Sequence, residues 1–168
     1  GLSQVFYNSG RASDGDQNFF LFEKLAPYNV YGNFETHREL YQEFLDLGHY
    51  QEAKAAIETL SQWWHENKGR CPDEIQIYEY LASAQAEEAA GMYHTAQELR
   101  TLAEKTADYI LEHSSHDVNL LYFLARIFDE FANETYSSSF YQAVLSHKSV
   151  KTEVVQRIGA QLISRGQT

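Results

Sequence analysis

The segment Gly48-His49-Tyr50-Gln51-Glu52-Ala53 returns 43 residues later as Gly91-Met92-Tyr93-His94-Thr95-Ala96. No other feature constrains the fold as much. In each copy a glycine can close one helix in the left-handed conformation, a tyrosine follows two residues on, and a small alanine opens the next helix. That is the corner of a helical hairpin, with Gly48, Tyr50, Ala53, Gly91, Tyr93 and Ala96 as its structural residues. The same offset carries Tyr93 to Tyr136 and aligns Tyr80-Leu81-Ala82 with Phe123-Leu124-Ala125. Helical pairs at a fixed period predict an all-α fold of stacked antiparallel hairpins.

The segments between corners fit that expectation. Residues 1–34 read as a lead-in: turn formers up to Asp16, a short helix carrying Phe19, Phe20, Phe22 and Leu25, a stop at Pro27, and an aromatic loop. Eight of the 24 aromatic residues fall before Glu35, which suits a segment covering one end of the core. Thr36 and Glu39 form a capping-box pattern, and Leu40, Phe44 and Leu47 recur at helical spacing up to Gly48. Ala53, Ile57, Leu60 and Trp64 make a return stripe ending near Asn67. Asp73 starts a helix with Ile77, Tyr80, Leu81 and Ala84 that ends near Ala90. Its partner runs from about Tyr93 to His113 with Ala96, Leu99, Ala103, Ala107 and Ile110 on one face. A third hairpin carries Leu120, Leu121, Leu124, Phe128 and Phe131, then turns at Asn133, where asparagine stands in for the missing glycine. Tyr141, Val144 and Leu145 follow, and a last helix holds Val150, Val154, Val155, Ile158 and Leu162. Seven or eight helices are expected, with residues 35–168 forming one helical-repeat domain.

At these residues the chain resembles the tetratricopeptide family. The shared features are a Gly-x-Tyr-x-x-Ala corner, an arm bearing Leu40 and Phe44, and Ile57 and Leu60 behind it. Glu87 and Arg100 depart from the pattern, standing where that family has apolar residues, and the 43-residue offset exceeds its usual repeat of about 34. The resemblance covers residues 35–147 and implies a short right-handed α-solenoid. It also implies that outward positions of the first arms, Arg38, Gln42, Tyr78 and Gln85, line a groove for a peptide or partner helix. The Lys and Asn set of chaperone-tail clamps is not present at these positions.

Charge narrows the partners. Thirteen Lys and Arg stand against 24 Asp and Glu, a formal charge of −11, which repels nucleic-acid phosphates and anionic lipid and favours a basic protein or peptide. The single cysteine, Cys71, rules out an internal disulfide; it fits the cytoplasm and leaves the periplasm open. No stretch approaches about 18 apolar residues, so direct membrane insertion is not expected. Gly1-Leu2-Ser3 is compatible with a piece of a longer protein.

Chemistry-bearing patterns are weak. His113-Ser114-Ser115-His116-Asp117 straddles an expected helix end and lacks further ligands at metal spacing, so no metal and no cofactor are expected. Glu87, Glu88, Glu52 and Asp46 read as solvated helix faces better than as an acid and base pair. No phosphate-binding glycine loop or serine elbow is present. The leading expectation is therefore a non-catalytic protein- or peptide-binding helical repeat, set within a longer protein. Two rivals stand beside it: an accessory domain of a larger, membrane-bound glycosyltransferase, and a small all-α hydrolase.

Overall fold

The computed structural model of the protein describes residues 32–113, 117–147 and 152–166. These form seven helices and no strand: α1 (Gly32–Asp46), α2 (Tyr50–Lys68), α3 (Asp73–Ala89), α4 (Tyr93–His113), α5 (Val118–Glu130), α6 (Glu134–Leu145) and α7 (Thr152–Ser164). The short helix expected before Pro27 and the aromatic loop after it lie outside the described residues. The chain divides into two compact units, one spanning Val30–Ile110 and the other taking in Leu111–Thr168.

In the first unit α1 packs on α2, and α2 on α3. The apolar face of α2 is the expected stripe, with Ala53, Ile57, Leu60 and Trp64 buried, joined by Ala56 and Ser61. Helix α3 buries residues on nearly every side, including Ile75, Ile77, Tyr78, Leu81, Ala82, Ala84 and Ala86, which makes it the central helix of the unit. Its run of small side chains lets the Tyr41 hydroxyl of α1 reach the Ala82 carbonyl at 3.0 Å and meet the Gln85 side-chain oxygen as well.

Helix α1 corrects two expectations. It begins at Gly32, so Thr36 lies inside the helix and forms no capping box. Its buried face is Phe34 and Tyr41, whereas Leu40 is 41% and Leu47 63% exposed. Tyr41 can be core because its one polar atom is satisfied by α3, and it takes the interior place expected of Leu40.

Three corners share one backbone pattern. The N–H of His49 donates to the Phe44 carbonyl at 2.9 Å, that of Met92 to Glu87 at 2.8 Å, and that of Asn133 to Phe128 at 2.9 Å. This is the long closing bond of a helix ended by a left-handed residue. The left-handed residues are Gly48 (φ 79°), Gly91 (φ 88°) and Ala132 (φ 61°). Asn133 does not take that role: it has φ −98°, and its side chain instead caps α6 by accepting from the Tyr136 N–H. The third corner thus comes 41 residues after the second, and Tyr136 occupies the third position of its helix where Tyr50 and Tyr93 occupy the first. Five residues beyond each left-handed position sits a fully buried small side chain: Ala53, Ala96 and Ser137.

In the second unit α5 packs on α6, and α6 on α7. Asp117 opens α5 by accepting from the Asn119 and Leu120 N–H groups. Phe128 stacks on Phe140, with ring centroids 5.8 Å apart, and on Tyr136 at 5.3 Å. Helix α7 brings Ile158 and Leu162 into the core, and Arg165 just beyond it turns inward. The Arg165 guanidinium, its side chain only 7% exposed, pairs with Asp129, donates to Ser138 Oγ at 2.9 Å and lies over the Tyr141 ring at 5.8 Å. Gln161 completes the set, donating to the second Asp129 oxygen at 2.6 Å.

Candidate functional site

The four residues expected to line a groove are not equivalent. Gln42 and Gln85 each stand six residues before a corner glycine and are partly exposed. Arg38 stands ten before Gly48, where it is tied to Glu35 at 2.9 Å along the same helix. Tyr78 stands thirteen before Gly91 and is fully buried, its ring edge-on to Phe34 at 4.9 Å. A side chain in that position packs the interior and cannot meet a ligand, so Tyr78 leaves the recognition set. Gln85 is partly engaged as well, through Tyr41.

The corner residues divide differently. Ala53 and Ala96 are buried and Tyr50 is half-buried, but Tyr93 is 67% exposed. Leu47 at 63% and Met92 at 53% flank the two corner glycines and are exposed with it. Both corners lie at one end of the unit. The Tyr41 contact with Ala82 and Gln85 sets the last turns of α1 and α3 side by side. Lys54, in the second turn of α2, meets Glu87, in the last turn of α3, at 2.5 Å. Sequence reasoning assigned Tyr93 a structural role, placed Leu47 on the apolar stripe of the first arm and gave Met92 no role; all three are exposed. Nothing in the sequence marked them as exposed, because an apolar residue beside a left-handed cap often packs back on its own helix.

No family model, curated protein or solved structure matches the chain. Its chemistry has to be read from its own side chains.

Of the groups that could do acid, base or nucleophilic work, Glu87, Glu88 and Cys71 are paired or buried, whereas Asp46, Glu52 and His113 are exposed. Glu87 is buried against Lys54, and Glu88 pairs with Arg100 of α4. Glu87 and Arg100, the two charges at stations where apolar residues were expected, thus each have a partner. Cys71 is buried, and burial pushes its thiol up to about 11; a hydrogen bond involving Ser61 opposes this, while Glu79 and Glu74 reinforce it. At neutral pH it is a thiol and a poor nucleophile. Burial also raises Glu79, against hydrogen bonds from Ser61 and Gln76, the latter 2.8 Å away. His113 is exposed and 4.0 Å from Glu112, and His116 lies outside the described residues. Among the described residues no group of three His, Cys, Asp or Glu side chains could hold a metal ion, and no helix is long and apolar enough to cross a membrane.

Proposed function

We propose that the protein is a non-catalytic helical module that binds a peptide or a segment of a partner protein, in the manner of the tetratricopeptide-like repeats its corners resemble. The observation that supports this reading is the exposure of Leu47, Met92 and Tyr93 together at the two-corner end of the unit, where Leu40, Leu102 and Tyr109 are exposed singly on helix flanks. Exposed apolar groups gathered on a rigid helical scaffold suit a contact surface. Of the acids, Glu87 and Glu88 are engaged in ion pairs between helices, and Cys71 is a buried thiol. Such a surface needs neither metal nor cofactor.

The test is a selection of displayed random peptides on the full chain, run beside a panel of glycoside, ester, phosphoester and peptide substrates. A converging peptide family that binds saturably, with no turnover, is the expected result. Turnover of any substrate in the panel, or a selection that never converges, overturns the reading.

A further inference from the structure

We propose that the two-corner end of the Val30–Ile110 unit is the docking surface, and that its occupant is a basic amphipathic helix of a partner protein. The proposal rests on the interaction reading above and names where the contact lies and what chemistry it takes. The apolar part is Leu47, Met92 and Tyr93, all more than half exposed. Around them Glu43, Asp46 and Glu52 are exposed on α1 and α2, and none has an ion-pair partner among the described residues. The two Lys and Arg side chains of this end are already committed, Lys54 to Glu87 and Arg100 to Glu88. The end therefore offers apolar anchorage inside an excess of negative charge. Its complement is a segment with apolar side chains on one face and Lys or Arg on its flanks. A second copy of this chain is a poor complement, because it brings the same carboxylates and a formal charge of −11.

The experiment uses the full chain and fluorescence anisotropy with three labelled peptides of about five helical turns. One has Leu on one face and Lys on the other, one replaces Lys by Glu, and one replaces Leu by Ser while keeping Lys. The expected result is saturable binding of the Leu/Lys peptide alone, weakening as salt is raised. Replacing Leu47, Met92 and Tyr93 together by Ala weakens it about tenfold or more, as loss of interface anchors does. Because these side chains are exposed the fold is retained, which circular dichroism verifies. Leu102→Ala, an exposed apolar change on α4 away from the corners, leaves binding unchanged.

Equal binding of the Lys/Ser peptide shows charge attraction without a site and overturns the proposal. So does preference for the Leu/Glu peptide, or failure of all three to bind. Leu/Lys binding that survives the triple substitution and is lost in Gln42→Ala with Gln85→Ala moves the contact to the flank. That outcome overturns the corner assignment and leaves the interaction reading intact, whereas a peptide selection that fails to converge removes both.

Discussion

Ala132 holds a backbone conformation that its Cβ disfavours by about 1–2 kcal/mol, at a corner where the other two copies have glycine. It is exposed, so nothing is lost by removing its methyl group. Ala132→Gly is expected to stabilise the second unit by about 1 kcal/mol, and Gly48→Ala or Gly91→Ala to destabilise by a similar amount. A Cβ at either glycine meets no atom within 4 Å, so the cost there is conformational alone. Urea denaturation of the three variants measures all of this, and a neutral Gly91→Ala would remove the left-handed cap as the reason. Cys71 gives a pH test. Its folded thiol sits near 11 against an ordinary 9.0, so the stability it contributes is whole below pH 9 and is lost as pH rises toward 11. The loss amounts to at most about 3 kcal/mol. Wild type should weaken more steeply than Cys71→Ala across that window, and its thiol should resist alkylation at pH 8 until the chain unfolds.

At the scale of helices, α7 is held as much by charge as by apolar contact. Arg165→Met leaves Asp129 with only Gln161 among its described partners, so a loss of about 2–3 kcal/mol is expected, at the lower end for a broken buried pair because Asp129 retains some solvent. Hydrogen exchange should show α7 amides opening ahead of those of α5 and α6; uniform protection would show that Ile158 and Leu162 suffice. Helices were the most legible level of this sequence. The apolar stripe of α2 and the small-residue face of α4 follow from spacing alone, whereas α3, read with Tyr78 facing outward and Glu87 solvated, buries both. Helix α1 was misread because Leu40, Phe44 and Leu47 match the helical period as well as Phe34 and Tyr41 do. Only the hydroxyl partner on α3, invisible in one dimension, breaks the tie. The third corner was misplaced by one residue for a related reason: asparagine suits both a left-handed position and an N-cap, and here the cap won while Ala132 took the strain.

Across the whole molecule, 24 acids against 13 Lys and Arg make self-repulsion a general destabilising force. Raising monovalent salt from about 20 to about 200 mM should raise the thermal midpoint by screening it, even as exposed pairs such as Arg70–Asp73 weaken. A midpoint that falls with salt would mean that attractive pairs outweigh the repulsion. Function was the least legible level, because a contact surface consists of residues that break no folding rule: Leu47, Met92 and Tyr93 fit a corner equally well buried or bare. One pair carries a consequence of another kind. Glu87 is closed in beneath Lys54, so losing Lys54 strands a buried carboxylate, and a path to an apolar contact that begins at Lys54 passes through an intermediate worse than both ends. The two positions are therefore coupled, and removing Lys54 alone is expected to cost more than replacing both charges by apolar side chains of similar volume.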